Sequence, residues 1–183
     1  DIVVGSPIIG RDNSQLLDII GMFVNTLPLR AKINQENTFN EFLQNIKTMC
    51  LDSFEHQSYP VDALINDLKI PRDNSRNPLF DVLFTYQNNG LKELILGDIK
   101  STYYLPDTKI SKFDLSIEIV PEKDILNLNF EYSTNLFNED FMQNLSNHYI
   151  RILKIITENQ DTKISNIDML FIEEKNRIVN GFN

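Results

Sequence analysis

The chain has 183 residues, of which 42% are hydrophobic, and its formal net charge is -9. This apolar content is sufficient for a folded domain, whereas the acidic charge argues against nucleic acid and anionic membranes as partners, because both need a basic face. No apolar run approaches the roughly 20 residues of a membrane-spanning helix. The single cysteine cannot form an internal disulfide, which favours a reducing cytoplasm.

The first half of the chain predicts strands interspersed with amphipathic helices. Residues 23–31 have the composition of a strand, and Pro28 lacks a ladder donor, which indicates a sheet edge or a bulge. Thr38 and Glu41 form a capping box that begins a helix, and Pro60 suits the first turn of a second, shorter helix. The apolar stripe of the first helix comprises Phe39, Phe42, Leu43, Ile46, Met49, Cys50 and Phe54.

The second half carries the clearest strand signals. Residues 79–86 form a dense apolar run and are predicted as a central strand. Residues 113–119 and 126–132 alternate apolar and polar side chains, and the turn at 121–124 between them predicts a hairpin. Because strands and helices are interspersed, we predict an α/β fold, a mixed sheet with flanking helices.

The remaining segments are a long connection and two helices. Residues 88–110 are predicted as an irregular connection with one strand at 101–105. Asn138 is a good N-cap for a long helix, and a weaker helix is expected at 173–179. The stripe of the long helix comprises Phe141, Leu145, His148, Tyr149, Ile152 and Ile156.

The residues by themselves reveal no catalytic group. No Cys/His spacing suits a metal such as zinc, and no phosphate-binding glycine loop or Gly-x-Ser-x-Gly elbow occurs, although a triad assembled in space stays open. His148 is interpreted as a core or rim histidine, and His56 as the end of a helix, where it favours the helix dipole. Cys50 is interpreted as a small core residue, and Glu173 and Glu174 as solvated.

Four segments, in matching order and spacing, carry a resemblance to a known family. Residues 20–30 (IGMFVNTLPLR) closely resemble the fifth core motif of condensation domains of non-ribosomal peptide synthetases. Residues 56–62 (HQSYPVD) are similar to the sixth motif, usually His-Gln-Asp-Tyr-Pro-Phe-Glu, and residues 72–80 (RDNSRNPLF) to the seventh. Residues 4–11 (VGSPIIGR) resemble the segment that normally precedes the fifth motif.

The resemblance implies a chloramphenicol-acetyltransferase-like fold in which two lobes enclose a tunnel. Donor and acceptor carrier proteins deliver thioester-bound substrates on phosphopantetheine arms, no cofactor is bound directly, and an amide forms when the acceptor amine attacks the donor thioester. The family's His-His-x-x-x-Asp-Gly motif is absent from these 183 residues, which contain no adjacent histidines. The chain is therefore predicted to be most of the C-terminal lobe, to lack the catalytic histidine and to be inactive in isolation.

Three residues are expected by this resemblance to face the tunnel. Asn25 can donate hydrogen bonds to a pantetheine amide or a reacting carbonyl and accept them as well. Thr26 and Ser6 are the other two residues that are expected to face the tunnel. The alternatives are that Asn25 and Thr26 only fix a strand end, and that Ser6 caps the turn before Pro7.

The other motif residues are predicted to be structural or to serve docking. The structural set comprises Arg30, Arg72, Arg76, Asn77, Tyr59 and Pro60. A net charge of -9 offers no general attraction to an acidic carrier protein, so docking needs a local basic group. Arg11 is the candidate for this contact, with Arg30 as a second option.

The resemblance also predicts the organisation of the protein. Residues 1–170 are expected to form the C-terminal lobe, and residues 171–183 the start of a linker toward a downstream adenylation domain. The expected partners are the N-terminal lobe, the two carrier proteins and the adenylation domain. The alternative function is a non-catalytic module that docks a carrier protein. A lobe without its partner exposes apolar surface, so self-association is expected.

Overall fold

The computed structural model describes residues 1–11, 13–71, 73, 76–87, 95–100 and 109–181. The strands are β1 (Ile2–Ile8), β2 (Asn25–Ala31), β3 (Val82–Tyr86), β4 (Ile95–Leu96), β5 (Ile99–Lys100), β6 (Leu115–Glu122) and β7 (Ile125–Tyr132). The helices are α1 (Phe39–Glu55), α2 (Val61–Asp67), α3 (Glu139–Glu158) and α4 (Ile172–Asn180), with 3-10 turns at Ser14–Leu16 and Ile164–Asn166.

Five of the strands form a mixed sheet in the order β2-β1-β3-β6-β7. β1 pairs antiparallel with β2 and parallel with β3, β3 is parallel to β6, and β6 is antiparallel to β7. β3 is therefore central, as its dense apolar run predicted. β2 lies at one end of the sheet, where Pro28 can be tolerated because its missing donor matters least there. The predicted α/β class is confirmed.

Helices α1 and α3 cover the same face of this sheet. Phe84, Ile117 and Phe130 are register partners across β3, β6 and β7. The Phe130 ring meets Tyr149 of α3 edge-on, with ring centroids 6.1 Å apart. Phe54 of α1 lines a groove together with Phe84. The apolar face of the sheet therefore packs against both helices.

On the opposite face of the sheet, β6 and β7 carry polar side chains around Glu118. Its carboxylate accepts hydrogen bonds from Gln87 Nε2 at 3.0 Å and from Asn129 Nδ2 at 3.2 Å. Leu115 and Ile119, at the alternate positions of β6, are buried on the helix side. The predicted alternation in this hairpin is thus confirmed.

Several element boundaries differ from the predictions: β2 begins at Asn25 and β6 at Leu115, and three further differences have a clear cause. β6 continues past Pro121, which remains paired with Leu126, so the hairpin turn is shorter than expected. α2 begins at Val61, because Pro60 has an extended backbone and serves as the N-cap. β3 begins at Val82, since a turn occupies the residues before it.

The predicted helix starts are otherwise confirmed. Glu41 N donates to Thr38 Oγ1 at 3.2 Å, and Thr38 N donates to Glu41 Oε2 at 2.9 Å, which completes the capping box. Phe141 N donates to Asn138 Oδ1 at 2.8 Å at the start of α3. The strand predicted at 101–105 lies outside the described residues, and β4 and β5 form a short antiparallel ribbon in the same connection.

The core joins the helix side of the sheet to the helices, and the ring of Phe80 adds a buried contact on the opposite face, against Gly5. Buried apolar side chains in the described part of the chain include Leu27, Ile65, Phe80, Leu115, Ile119, Met142 and Ile156. Phe80 stacks on Phe113 with centroids 5.6 Å apart. Met142 lay outside the stripe predicted for α3, whereas Phe141, inside it, is 49% exposed. Packing therefore also buries Met142, beside the predicted stripe, and leaves Phe141 uncovered, although Phe141 lines the same concavity as Leu145 and His148.

Candidate functional site

The start of β2 brings together two of the segments that the sequence singled out. Asn25 Nδ2 donates to the carbonyl oxygen of Gln57 at 3.0 Å and to that of Tyr59 at 3.2 Å. Asn25 Oδ1 accepts a hydrogen bond from Thr26 N at 2.9 Å. These bonds tie β2 to the turn between α1 and α2, so Asn25 fixes the strand end, which is one of the two interpretations of this residue.

A cavity of about 370 Å³ opens beside Asn25. Its lining consists of Gly10, Phe23, Val24, Asn25, Gln57, Ser58 and Pro60. The wall combines an aromatic ring with amide and hydroxyl groups. Such a wall suits an extended ligand that alternates apolar groups with hydrogen-bonding amides.

Arg11 contacts the phenylalanine that forms the aromatic wall of this cavity. Its guanidinium donates to Leu16 O, donates at 3.2 Å to Gly21 O, and lies 4.2 Å from the centroid of the Phe23 ring. Gly10 has a φ of 64°, and a Cβ at that position would lie 1.9 Å from Phe23 O. Arg11, predicted as a carrier-protein contact, thus has its guanidinium engaged within the chain.

A second cavity, of about 630 Å³, lies between β2, α1 and α2. Its floor is apolar, and Asp52, His56 and Tyr59 belong to its lining. His56 is the C-cap of α1, as predicted. The Tyr59 hydroxyl donates to Asp67, and this hydrogen bond raises the pKa of the phenol. Thr26 lines this second cavity.

Ser6 lines a third concavity, a groove of about 580 Å³ between the sheet and α1. The groove is lined by Ser6, Pro7, Ile8, Ile9, Val24, Leu29, Cys50, Phe54, Phe84, Thr85, Tyr86 and Gln87. Cys50 was predicted in the core and is instead half-buried at this groove, because α1 does not close completely on the sheet. Burial raises the pKa of the Cys50 thiol, which disfavours the reactive thiolate.

The three predicted tunnel residues therefore line three adjoining concavities. Ser58 belongs to the first and the second, and Val24 belongs to the first and the third. The cavity beside Asn25 lies between the other two. The role of these residues toward a substrate stays a prediction.

The motif arginines form local contacts. Arg30 Nη2 lies 2.6 Å from Asp1 Oδ2, and Arg76 pairs with Asp81. Both pairs are largely solvent-exposed, so each adds little to stability. Arg72 lies outside the described residues.

Asn77 organises the turn that leads into β3. Its Oδ1 accepts hydrogen bonds from Leu79 N at 3.1 Å and from Phe80 N at 3.4 Å. Side chains of this type favour turns because they satisfy the backbone donors that follow them. The turn directs Phe80 into the core, which fits the structural role predicted for Asn77.

A polar contact between α3 and α4 was missed from the sequence. His148 Nε2 lies 2.9 Å and 3.0 Å from the two carboxylate oxygens of Glu174. Phe171 N donates to Glu174 Oε2 at 2.8 Å. These bonds lower the pKa of Glu174. Glu174, predicted as solvated, is therefore half-buried, whereas Glu173 is exposed as expected.

Arg151 and Asp168 extend this contact. Arg151 Nε donates to Asp168 O at 2.9 Å, and its guanidinium lies 4.9 Å from the centroid of the Phe171 ring. Lys175 pairs with the Asp168 carboxylate and lowers its pKa. Glu174 lies three residues after Phe171, a spacing at which a glutamate commonly caps the start of a helix. This spacing is the feature of the sequence that could have indicated the role of Glu174.

Within the described part of the chain, His, Cys, Asp and Glu side chains form no group that could hold a metal ion. None of the helices described is both long and apolar enough to cross a membrane. The three concavities around β2 therefore constitute the candidate functional site.

Comparison with known protein families identifies the family of this chain. The condensation domain family matches residues 1–179. The chain belongs to the condensation-domain family. The resemblance carried by four short motifs is thereby confirmed over nearly the whole sequence.

The relatives of this condensation-domain chain are bacterial peptide synthases. It is 43% identical over 185 residues to tyrocidine synthase 3 of Brevibacillus parabrevis and 43% identical over 183 residues to gramicidin S synthase 2 of Aneurinibacillus migulanus, each match covering 100% of the chain. It is 42% identical over 170 residues to surfactin synthase subunit 2 of Bacillus subtilis, covering 93% of the chain. The chain spans 3%, 4% and 5% of these three relatives, respectively.

Solved structures share the fold of this condensation-domain chain. A four-domain nonribosomal peptide synthetase bound to AMP and glycine matches with a TM-score of 0.84 and 20% identity, over 95% of this chain and 14% of that one. The X-domain from teicoplanin biosynthesis matches with a TM-score of 0.82 and 21% identity, over 93% of this chain and 40% of that one. The starter condensation domain of rhizomide synthetase, in complex with C8-CoA and Leu-SNAC, matches with a TM-score of 0.76 and 22% identity, over 93% and 39%.

Proposed function

We propose that this chain is the C-terminal lobe of a condensation domain that joins two carrier-bound substrates through an amide bond. The family match over residues 1–179 carries the proposal. The chain covers only 40% of the teicoplanin X-domain chain and 39% of the starter condensation domain chain. A domain of that size has room for a second lobe beside this one.

The exposed apolar surface supports a lobe that packs against further protein. In the loop between β1 and β2, Ile20 is 102% exposed and Met22 is 92% exposed. Large apolar side chains that protrude in this way are typical of interaction surfaces. The N-terminal lobe of the same domain is the proposed partner.

The proposed reaction is the aminolysis of a thioester. The acceptor amine nitrogen attacks the donor carbonyl carbon, a C–N bond forms as the C–S bond breaks, and the proton of the amine is transferred to the departing sulfur. The adjacent histidines that the family uses are not among these residues. This chain supplies the binding walls: the concavities around Asn25 receive the phosphopantetheine arms of the donor and acceptor carrier proteins.

The chain is also proposed to contain the start of the linker toward the next domain. In this proposal residues 1–170 form the lobe, and residues 171–183 begin the linker to an adenylation domain. Helix α4 belongs to the second segment and is joined to α3 through His148 and Glu174. The linker therefore leaves from a helix that is docked on the lobe.

The full-length gene product that contains these residues tests the proposal. Donor and acceptor carrier proteins are loaded with aminoacyl thioesters, and intact-protein mass spectrometry detects a dipeptidyl thioester on the acceptor. We expect the amide with the full-length protein and none with the 183-residue chain alone. Amide formation by the isolated chain, with no other protein supplying histidines, would contradict its assignment as a non-catalytic lobe.

The alternative is a non-catalytic module that docks a carrier protein. The X-domain, which matches 93% of this chain with a TM-score of 0.78, has been solved in complex with OxyB, so a domain of this fold can bind another protein. The full-length protein would then bind loaded carriers in calorimetry without forming an amide. The residue to test for docking is Arg30, with Arg30→Glu, because its side chain is 63% exposed even though it pairs with Asp1.

A further inference from the structure

Arg11 does not line the cavity beside Asn25, yet it contacts the residue that forms its aromatic wall. We propose that Arg11 is a positioning residue for this cavity, acting through Phe23, and not a contact for a carrier protein. The inference rests on the proposed function, because it concerns the cavity assigned there to a pantetheine arm.

The first step of the argument is the geometry of the guanidinium. Arg11 donates to two backbone carbonyls, those of Leu16 and Gly21, and covers the Phe23 ring at 4.2 Å from its centroid. That distance lies within the range of cation–π attraction. A planar guanidinium can direct donors at two carbonyls while its face stacks on a ring, whereas an ammonium is a compact charge without such a face. The three contacts together therefore need arginine.

The second step is the connection from Phe23 to the cavity. A Cβ at Gly10 would lie 1.9 Å from Phe23 O, so the backbones of Gly10 and Phe23 are in close contact. Both residues line the cavity together with Asn25. Arg11 at the ring and Gly10 at the backbone carbonyl thus both restrict Phe23. A displacement of Phe23 changes the wall of the cavity and the start of β2.

The third step is that the loop between β1 and β2 has little burial of its own. Leu17 is 63% exposed, Ile20 is 102% exposed and Met22 is 92% exposed. The backbone hydrogen bonds donated by Leu16, Leu17 and Ile19 close short local turns. Besides the backbone contact between Gly10 and Phe23, the guanidinium of Arg11 therefore links the start of the loop to its middle, at Leu16, and to its end, at Gly21 and Phe23.

The test uses Arg11→Lys and Arg11→Gln in the full-length gene product, with Arg76→Gln as the matched control for loss of an exposed arginine. Both Arg11 variants should lower kcat for amide formation about 10- to 100-fold, because misplaced binding groups cost rates of this order. The KM for the acceptor carrier protein should stay unchanged. Hydrogen–deuterium exchange should rise at residues 13–24 in both variants and stay unchanged there in Arg76→Gln.

A docking role for Arg11 predicts the opposite pattern. KM would rise at constant kcat, Arg11→Lys would restore the parent value because it keeps the charge, and the effect would shrink in high salt. That pattern, or unchanged exchange at residues 13–24 in Arg11→Gln, overturns the inference. If Arg11→Gln fails to fold, Arg11→Lys decides the matter. If the parent protein forms no amide, the proposed function fails, and the exchange measurement alone still decides whether Arg11 positions the loop.

Discussion

Gly5 lies in β1 directly beneath the buried ring of Phe80. A Cβ at this position would lie 2.2 Å from the nearest ring atom, so Phe80 would have to move within a packed core. We expect Gly5→Ala to lower the free energy of unfolding by about 1–3 kcal/mol, the usual cost of overpacking. Urea denaturation of the parent and variant chains measures the difference.

A second substitution provides the control for this contact. In a Phe80→Leu background the added methyl group has more room, so Gly5→Ala should cost less than it does in the parent chain. An equal cost in both backgrounds would show that the contact with the ring is not the cause.

Asn25 holds the start of β2 through the two hydrogens of its amide. Asn25→Asp keeps the shape of the side chain but turns an acceptor toward the carbonyl oxygens of Gln57 and Tyr59. We expect the free energy of unfolding to fall by about 1–3 kcal/mol, since the two bonds are lost and like partial charges meet. Asn45→Asp, on the exposed surface of α1, is the control and should change it by no more than about 0.5 kcal/mol. Equal effects of the two substitutions in chemical denaturation would refute this role of the Asn25 amide.

The motifs singled out Asn25 and Arg11, but they did not show to which backbone carbonyls these two side chains donate hydrogen bonds. The chemistry of an amide or a guanidinium is the same in any surroundings. One of the two carbonyls to which Asn25 donates belongs to Gln57, 32 residues further along the chain. Which carbonyl a donor reaches is decided by how separate segments pack, so the sequence shows the charge of Arg11 but not that it meets the carbonyls of Leu16 and Gly21.

The helix starts were predictable because their signals are local. The capping box of α1 joins Thr38 to Glu41 within a single turn. The side of α3 that turns inward was predicted less well: Met142 is buried and Phe141 is 49% exposed. Periodicity determines that a helix has an apolar side, whereas the sheet and the other segments that pack against the helix determine how much of that side is covered.

Helix α4 is attached to α3 through a carboxylate that titrates. The pKa of Glu174 is lowered from 4.5, first by the hydrogen bond with His148 and then by that from Phe171 N. A group whose pKa falls on folding contributes stability above its unfolded pKa, and this contribution is lost as the pH falls through the folded value. We expect the attachment of α4 to be intact at neutral pH and to weaken as the pH falls below 4.5.

Amide chemical shifts of α4 between pH 7 and pH 3, measured by NMR, report this attachment. Glu174→Gln should weaken it already at neutral pH and flatten its pH dependence, whereas Glu173→Gln, at the exposed neighbouring position, should behave like the parent. Asp168 also has a lowered pKa because of Lys175, so the comparison is repeated with Asp168→Asn. Identical titrations of the two glutamate variants would exclude Glu174 as the group responsible.

The chain as a whole presents a protruding apolar loop between β1 and β2. Since Ile20 and Met22 are 102% and 92% exposed, we expect the isolated chain to self-associate through them. Ile20→Ser combined with Met22→Ser should weaken association in analytical ultracentrifugation and leave the free energy of unfolding within about 0.5 kcal/mol of the parent. Ile125→Ser, at a position that is 59% exposed beside the β6–β7 turn, is the control. An equal reduction by the control would mean that association does not depend on this loop.

The amino-acid sequence by itself determined the family, the α/β class, the N-caps of α1 and α3 and the alternation of the β6–β7 hairpin. These features depend on neighbouring residues or on motifs that can be read in order. Only the tertiary structure decided that Ser6, Asn25 and Thr26 line three adjoining concavities and that Arg11 supports one of them. It also decided that the His148 ring contacts the carboxylate of Glu174, which lies 26 residues further along the sequence. Contacts between distant segments depend on packing geometry to within a few tenths of an ångström, and no pattern along the chain encodes that geometry.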